Sequence, residues 1–139
     1  MELGIWSVGK SKGISYADYA TRFDNLNVDY LTIFAVHPAR SGGLTVRNPE
    51  HVADEVEAIQ ATGKSVRLSF WFGTDRKYVK GFADALFALE KVLEKRGVDH
   101  SNIIKELDAE YHATAPGIKQ AKDAVKYYDE LYLGSLSYH

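Results

Sequence analysis

The sequence predicts an α/β fold of the (β/α) barrel type, corresponding to the first five strands of a TIM barrel. Five short apolar runs rich in β-forming residues alternate with four amphipathic stretches that carry helical spacing. A strand–helix–strand alternation of this kind gives parallel strands joined by right-handed crossovers. An open, doubly wound sheet of five strands satisfies the same alternation and is the alternative architecture.

The five predicted strands reach to the end of the chain. They cover residues 3–8, 28–36, 65–72, 102–108 and 131–137. An open sheet usually adds a helix that covers its last strand, whereas this chain stops directly after the fifth run. A complete barrel needs roughly 250 residues. We therefore expect residues 1–139 to form a single (β/α) domain that is a truncated barrel.

The predicted helices are marked by capping residues as well as by apolar stripes. Ser15 is a suitable N-cap for the first helix, and Asn48 followed by a proline opens the second, which ends at Gly63. Pro116 opens the fourth. The third helix ends at Gly97 and has the clearest stripe, with apolar residues at steps of three and four: Val79, Phe82, Leu86, Leu89 and Leu93.

Composition excludes several classes of function. The net charge of −2 provides no basic surface for nucleic acid or anionic lipid, so neither partner is expected. There is no cysteine for a disulfide or a thiolate metal site, and the five histidines lack metal-ligand spacing, so we expect no metal and no cofactor. No apolar stretch reaches about 18 residues and no secretion signal is visible, so we expect no membrane partner and leave the localisation open.

The candidate catalytic residues lie at the end of the fourth predicted strand. In both architectures function sits at the carboxyl ends of the strands. Glu106, Asp108 and Glu110 share one face there, because side chains alternate along a strand. Crowded carboxylates raise at least one pKa, as a general acid near neutral pH requires. The alternative is that the strand frays by Asp108 and the acids meet solvent or Lys105.

Four further residues at or beyond the strand ends are candidate substrate contacts. They are His37, Trp71, Tyr111 and Tyr138. An aromatic ring offers a flat apolar face, which suits an amphipathic ligand such as a sugar. Trp71 is equally compatible with a core aromatic.

Three segments resemble the family 18 glycoside hydrolases, particularly the endo-β-N-acetylglucosaminidases and chitinases. VDYLTIFA at residues 28–35 is similar to the second strand of that family, and GKSVRLSF at residues 63–70 to the third. ELDAEY at residues 106–111 resembles the end of the family signature D-x-x-D-x-D-x-E. The resemblance implies a barrel that cleaves β-1,4 linkages in glycans containing N-acetylglucosamine, outside the cell or in the cell wall.

This resemblance also implies roles for individual residues. Glu110 matches the glutamate that protonates the leaving glycosidic oxygen. Asp108 matches the aspartate that orients the N-acetyl group of the substrate, whose carbonyl oxygen is then the nucleophile. The first signature aspartate falls on Ile103 and the second on Glu106, so this chain departs from the family pattern at both positions.

A second resemblance competes with the first. The pair Asp108 and Glu110 is also similar to the D-x-E pair that ends a barrel strand in family 25 lysozymes, which are common among phage endolysins. Trp71 and Phe72 resemble the aromatic end of the third strand in that family. Both resemblances imply one substrate class, which is β-linked glycans that contain N-acetylglucosamine.

Three other hypotheses follow from the residues. Ile103 at a signature position and the short chain are compatible with a non-catalytic glycan-binding barrel or an inactive barrel fragment. GIWSVGKS at residues 4–11 matches the phosphate-loop pattern G-x-x-x-x-G-K-[ST], which makes a nucleotide binder a further alternative. Bulky residues such as Ile5 and Trp6, however, suit a strand better than a loop that wraps phosphate. Five strands of a barrel leave open edges, so we expect self-association or a longer parent chain.

Overall fold

Strands and helices alternate along the chain as predicted. The computed structural model describes residues 2–7, 9–10, 12–38, 44–71 and 79–108, together with residues 119, 122, 123 and 126. The elements are β1 (Gly4–Ser7), α1 (Tyr16–Asp24), β2 (Tyr30–Pro38), β3 (Leu44–Val46), α2 (Pro49–Gln60), β4 (Ser65–Trp71), α3 (Val79–Lys95) and β5 (Ile104–Asp108). The four predicted strands that fall within the described residues are therefore present.

One sheet contains all five of these strands, in the order β1-β2-β4-β5, with β3 paired to β2. The four strands of the main order are parallel, and β3 returns antiparallel to the end of β2. The parallel strands thus follow one another in chain order without a reversal. Because crossovers are right-handed, this order keeps the helices on one face of the sheet, as in a barrel, whereas a doubly wound sheet needs a reversal. The α/β prediction is confirmed.

Two predicted elements and one observed strand need comment. The predicted fifth strand at residues 131–137 lies outside the described residues. The predicted fourth helix is described only at residues 119, 122, 123 and 126, which are helical, with Lys119 Nζ 3.2 Å from Asp123 Oδ2. The short strand β3 was not predicted, because three residues carry too little periodicity to identify a strand. Its pairing lengthens β2 beyond the prediction, through His37 opposite Thr45.

Local sequence explains where the helices begin and end. Ser15 Oγ accepts a backbone N–H from the first turn of α1 at 3.0 Å, and Asn48 Oδ1 does the same for α2 at 2.9 Å. Gly63 and Gly97 follow α2 and α3 with φ angles of 82° and 71°. A left-handed residue after the last turn ends a helix, and glycine adopts this conformation without strain. No helix in the described part of the chain is long and apolar enough to cross a membrane.

The hydrophobic core lies between the sheet and the helices. Alternate residues of β2 and β4 face α2 and α3, and α1 joins the core through Tyr19. The fully or almost fully buried members are Leu31, Ile33, Val36, Val66, Leu68, Phe70, Val52, Ala53, Val56, Ile59, Leu86, Leu89, Leu93 and Ile103. Burying a side chain of this size contributes roughly 1.5–3 kcal/mol, so this layer is the main source of stability.

A buried ion pair interrupts the apolar layer beside β5. Lys105 lies opposite Leu68 in the register of the sheet, on the side of the helices. Its Nζ is 3.7 Å from Glu90 Oε1 of α3 and 3.2 Å from Nδ1 of His100. The side chains of Lys105 and Glu90 are both buried. A buried charge is tolerated when it has a counter-charge, and each partner here compensates the other.

We predict that Lys105→Met lowers the free energy of unfolding by about 3 kcal/mol, because it leaves the Glu90 carboxylate buried without its cation. The double variant Lys105→Met/Glu90→Leu recovers most of this loss, since it removes both charges together. Urea unfolding of the two variants and the wild type measures both effects. A double variant less stable than Lys105→Met would contradict the assignment of these residues as a compensating pair.

Candidate functional site

The predicted site residues whose side chains the structure describes lie on the face of the sheet opposite the helices, which we call the inner face. They are Glu106, Trp71 and His37. Its middle row consists of Phe34, Ser69 and Glu106, which are neighbours in the register of β2, β4 and β5. Ile33, Leu68 and Lys105, which precede these three residues, face the helices. Glu106 therefore lies on the inner face, separated by the sheet from Lys105, and Lys105 is not the partner of the Glu106 carboxylate.

An edge row follows at the carboxyl ends of the same strands. Trp71 pairs with the backbone of Asp108, which lies two residues beyond Glu106 in β5. In β2 the register shifts between Phe34 and Val36, so that one extra residue is inserted as a β-bulge. After the bulge, Val36 pairs with Phe70, and His37 falls one position further along, level with Trp71. The edge row is therefore His37, Trp71 and Asp108.

The structure thus brings His37, Trp71 and the backbone of Asp108 to one edge of the sheet, and Glu106 into the row beside it. Trp71 is buried and His37 is half-buried. The remaining predicted residues, Glu110, Tyr111 and Tyr138, lie outside the described residues, and their roles stay predictions.

Glu106 has a cationic partner that the sequence analysis missed. Arg67 Nη1 lies 3.3 Å from Glu106 Oε1, and Arg67 Nη2 lies 3.2 Å from Glu2 Oε2. The guanidinium also stacks on the ring of Tyr30, with 3.7 Å between Cζ and the ring centroid. Arg67 and Glu106 lie two residues apart across neighbouring strands on one face. This cross-strand spacing is the sequence signal that could have identified the pair, once the order of the strands is known.

The Arg67 contacts lie beside a hollow at the opposite, amino end of the strands. It has a volume of about 380 Å³ including open solvent, and Asp29, Tyr30, Arg67 and Asn102 are among the residues that line it. The charged groups of the hollow already have partners, since Arg67 binds two carboxylates and Asp29 accepts the backbone N–H of Leu3. The hollow is therefore distinct from the candidate catalytic site, which was predicted at the carboxyl ends of the strands, where the edge row lies.

Aromatic and hydroxyl side chains complete the inner face. Trp6 is 57% exposed, and its ring centroid lies 5.1 Å from that of Phe34. Ser69, between Phe34 and Glu106 in the middle row, is fully buried, and its Oγ has no hydrogen-bond partner among the described residues. The inner face therefore combines flat apolar rings with polar groups.

The described residues of the segment that matches the phosphate-loop pattern, 4–7, 9 and 10, do not have phosphate-loop geometry. Its first four residues are the strand Gly4–Ser7, in which a Cβ on Gly4 would lie 2.1 Å from the ring of Tyr30. The next helix begins only at Tyr16, six residues after Lys10. Lys10 Nζ donates to the carbonyl oxygen of Ile14 and lies over the Tyr16 ring. Without a helix N-terminus directly after the lysine, the geometry that holds a phosphate is missing from these residues.

The loop after β1 is instead held by hydrogen bonds to the helix side. Ser7 Oγ lies 3.0 Å from the hydroxyl of Tyr19 and accepts the backbone N–H of Gly9 at 3.1 Å. Burial raises the pKa of Tyr19 from 10.0 to about 12, although the hydrogen bond with Ser7 opposes this shift. The phenol of Tyr19 therefore stays neutral and tied to the end of β1 over the physiological pH range.

One group of side chains on the helix side has the composition of a metal site. The possible ligand atoms of Glu90, Glu94 and His100 lie within 4.8 Å of one another. The ammonium of Lys105 lies among them, 3.2 Å from His100 Nδ1 and 3.7 Å from Glu90. Lys91 Nζ lies 3.3 Å from the other carboxylate, Glu94 Oε2, so lysine side chains already provide positive charge beside both carboxylates.

Ile103, at the first signature position, is a core residue. It is 2% exposed and packs in the same cluster as Leu68 and Leu93. The apolar side chain is therefore explained by packing, since a carboxylate at this position would be buried in the apolar cluster.

No family model matches the sequence of the chain, and no curated protein matches it. Among solved structures, the chain has a weak likeness to the chitinase domain of the spore coat protein CotE from Clostridium difficile, with a TM-score of 0.46 and 10% sequence identity. The alignment covers 97% of this chain and 39% of that chain, so this chain spans less than half the length of that neighbour.

We predict that Ile103→Asp, which restores the signature residue, lowers the free energy of unfolding by at least about 3 kcal/mol, because the carboxylate is buried in the apolar cluster. The control Ile103→Val costs about 1 kcal/mol, since it removes only one methylene group. Chemical denaturation measures both. An aspartate variant as stable as the valine variant would contradict the assignment of Ile103 to the core.

We predict that Tyr19 makes the stability of the protein fall between pH 10 and 12. Its pKa is higher in the folded state, so its contribution is fully present below pH 10 and is lost as the pH rises towards 12. The stability difference between wild type and Tyr19→Phe should shrink by up to about 2 kcal/mol across this range. Urea unfolding of both proteins from pH 8 to 12 tests this, and a constant difference would refute it.

Proposed function

We propose that this chain is a glycoside hydrolase that cleaves β-1,4 linkages in glycans containing N-acetylglucosamine, such as chitin, the N-glycan core or peptidoglycan. The observation that carries the proposal is the edge row, in which His37, Trp71 and the backbone of Asp108 stand side by side at the carboxyl ends of parallel strands. Glu110 follows Asp108 by two residues in the sequence. Acids beside an aromatic ring at this edge suit glycoside cleavage.

In the proposed reaction, Glu110 is the general acid and Asp108 its partner. Glu110 gives its proton to the glycosidic oxygen as the bond to the anomeric carbon breaks. The carbonyl oxygen of the substrate's own N-acetyl group attacks that carbon, and Asp108 orients this group and stabilises the positive charge that develops on it. Water, deprotonated by Glu110, then opens the cyclic intermediate and returns the proton to the acid.

Trp71 and His37 are proposed to bind the sugar. Trp71 is the neighbour of Asp108 in the sheet, so a sugar positioned by Asp108 lies within reach of its indole. His37, level with Trp71 on the next strand, is suited to hydrogen-bond a sugar hydroxyl. Trp6, exposed on the first strand and in contact with Phe34, extends the aromatic surface away from the proposed reaction centre.

Glu106 is proposed to support Asp108 and not to transfer a proton. Its carboxylate is held by Arg67, which compensates its charge from the side away from the edge row. Arg67 is itself held by Glu2 and by the ring of Tyr30. The charges of Arg67 and Glu106 are therefore fixed in place two residues before Asp108 in β5. A preorganised environment of this kind stabilises charge that develops during the reaction.

The second candidate function is glycan binding without cleavage. The observation that favours it is the burial of Ile103 in the core, since an apolar residue occupies the first position of the proposed signature. Binding would then use the same rings of the inner face. Calorimetry with chitin oligomers, run beside a sugar-release assay, separates the two functions: binding without release supports this candidate, and release supports the hydrolase.

The sharpest test of the hydrolase is Glu110→Gln. We predict that this variant loses at least about 100-fold in rate of sugar release, because it removes the general acid while keeping the size of the side chain. Chitin oligomers, an N-glycan and cell-wall preparations are the substrates. The control Glu57→Gln, which changes a glutamate of α2 on the helix side, should keep the wild-type rate. Full activity in Glu110→Gln would contradict the assignment.

A further inference from the structure

We propose that Arg47 and Glu55 are positioning residues, which hold the β-bulge of β2 and thereby keep His37 on the inner face. No motif singled out either residue, and neither belongs to the rows of the inner face. The functional consequence rests on the glycan-binding role proposed above for His37, whereas the position of His37 can be tested without any substrate.

The bulge decides which face His37 occupies. Up to Phe34, β2 alternates regularly, with Leu31 and Ile33 towards the helices. The register then skips one residue, so that Ala35 and Val36 are both buried in the core cluster. A shift of one residue moves every later side chain to the other face. Without the bulge, His37 would follow Leu31 and Ile33 into the core, where an imidazole has no place in an apolar layer.

Arg47 satisfies the carbonyl groups at this irregularity. Its backbone N–H donates to the carbonyl oxygen of Ala35 at 3.0 Å, and its Nη1 donates to the carbonyl oxygen of Phe34 at 3.0 Å. A bulge disrupts the ladder of hydrogen bonds, and its peptide groups need other partners. Both the main chain and the side chain of this single residue therefore stabilise the bulged conformation.

Glu55 in turn fixes the guanidinium of Arg47. The carboxylate, on α2, is 1% exposed and accepts two hydrogen bonds from Arg47, at 2.7 Å from Nη2 and 2.8 Å from Nη1. It also accepts the backbone N–H of Lys10 at 2.7 Å. A carboxylate buried so completely is tolerated only with such compensation. Glu55 thus couples the bulge of β2 to the loop that follows β1.

The loop after β1 has a glycine where the Arg47 guanidinium packs against it. Gly9 has a φ of 114°, and a Cβ at this position would lie 2.3 Å from Nη2 of Arg47. The guanidinium therefore packs directly against the backbone of the loop. Two of the segments that flank the carboxyl edge, the bulge and the loop after β1, depend on one ion pair.

The geometry requires an arginine and not merely a cation. The planar guanidinium donates to both oxygens of Glu55 and to the carbonyl of Phe34 at the same time. Lysine keeps the positive charge but presents it at one nitrogen and cannot reproduce the fork. Arg47→Lys therefore leaves Glu55 with a counter-charge while it loosens the hold on the bulge.

The first experiment follows the imidazole of His37 by NMR in the full chain, with His37→Ala to assign its signals. We expect Arg47→Lys and Glu55→Gln each to shift the His37 signals. Arg96→Lys is the matched control, since Arg96 also binds several carboxylates, Glu50, Asp54 and Glu57, but on the outside of α2. We expect this control to leave the His37 signals unchanged. Unchanged signals in folded Arg47→Lys and Glu55→Gln overturn the proposal.

The second experiment is a double-mutant cycle on kcat/KM for release of sugar from chitin oligomers. We expect Arg47→Lys and His37→Ala each to lower kcat/KM by about tenfold, and the double variant to lose no more than either single variant, because both act through one contact. Losses that multiply would overturn the proposal that Arg47 acts through His37.

The two experiments separate a failure of this proposal from a failure of the proposed function. If the wild type releases no sugar from any substrate, the glycosidase proposal fails, and shifted His37 signals still support the positioning role. If Arg47→Lys does not fold, Glu55→Gln is the deciding variant. Glutamine keeps the shape of the glutamate side chain and replaces only one carboxylate oxygen by an amide nitrogen. A folded Glu55→Gln with wild-type His37 signals refutes the role of the pair.

Discussion

The apolar layer between β2, β4 and helices α2 and α3 constrains the rest of the molecule. Because the parallel strands follow one another in chain order and their crossovers are right-handed, the helices lie on one face. Alternate residues such as Leu31, Ile33 and Leu68 are therefore committed to that layer. Because side chains alternate along a strand, residues between them lie on the inner face. Ser69, Trp71 and Glu106 therefore share one surface of the sheet.

The buried charges are compatible with this layer because each has a partner on a neighbouring element. Glu55 of α2 meets Arg47, which follows β3, and Glu90 of α3 lies near Lys105 of β5. Buried ion pairs contribute little net stability, since desolvation offsets attraction, but breaking one is costly. Their effect here is on geometry. The first pair links α2 to the irregular part of β2, and the second links α3 to the strand that carries the acids.

The proposed chemistry depends on features that separate the carboxyl edge from the remainder of the inner face. Arg67 compensates Glu106 in the middle row, whereas the edge row contains Trp71, His37 and Asp108. The bulge at Ala35 is the reason why His37 belongs to that row. If β2 were regular throughout, His37 would face the helices. Val36 would then lie beside Trp71 in the sheet in place of His37.

The sequence by itself determined the helices α1 to α3, the four parallel strands and the place of Glu106 and Asp108 in β5, but not the short strand β3. Caps such as Ser15 and Asn48, and the stripe of Leu86, Leu89 and Leu93, depend on residues a few positions apart, and local interactions can be read from the chain. The tertiary structure alone decided the pairing of Arg67 with Glu106, 39 residues away, the burial of Ile103, and the face of His37. These features depend on register and on contacts between distant segments, which periodicity does not encode.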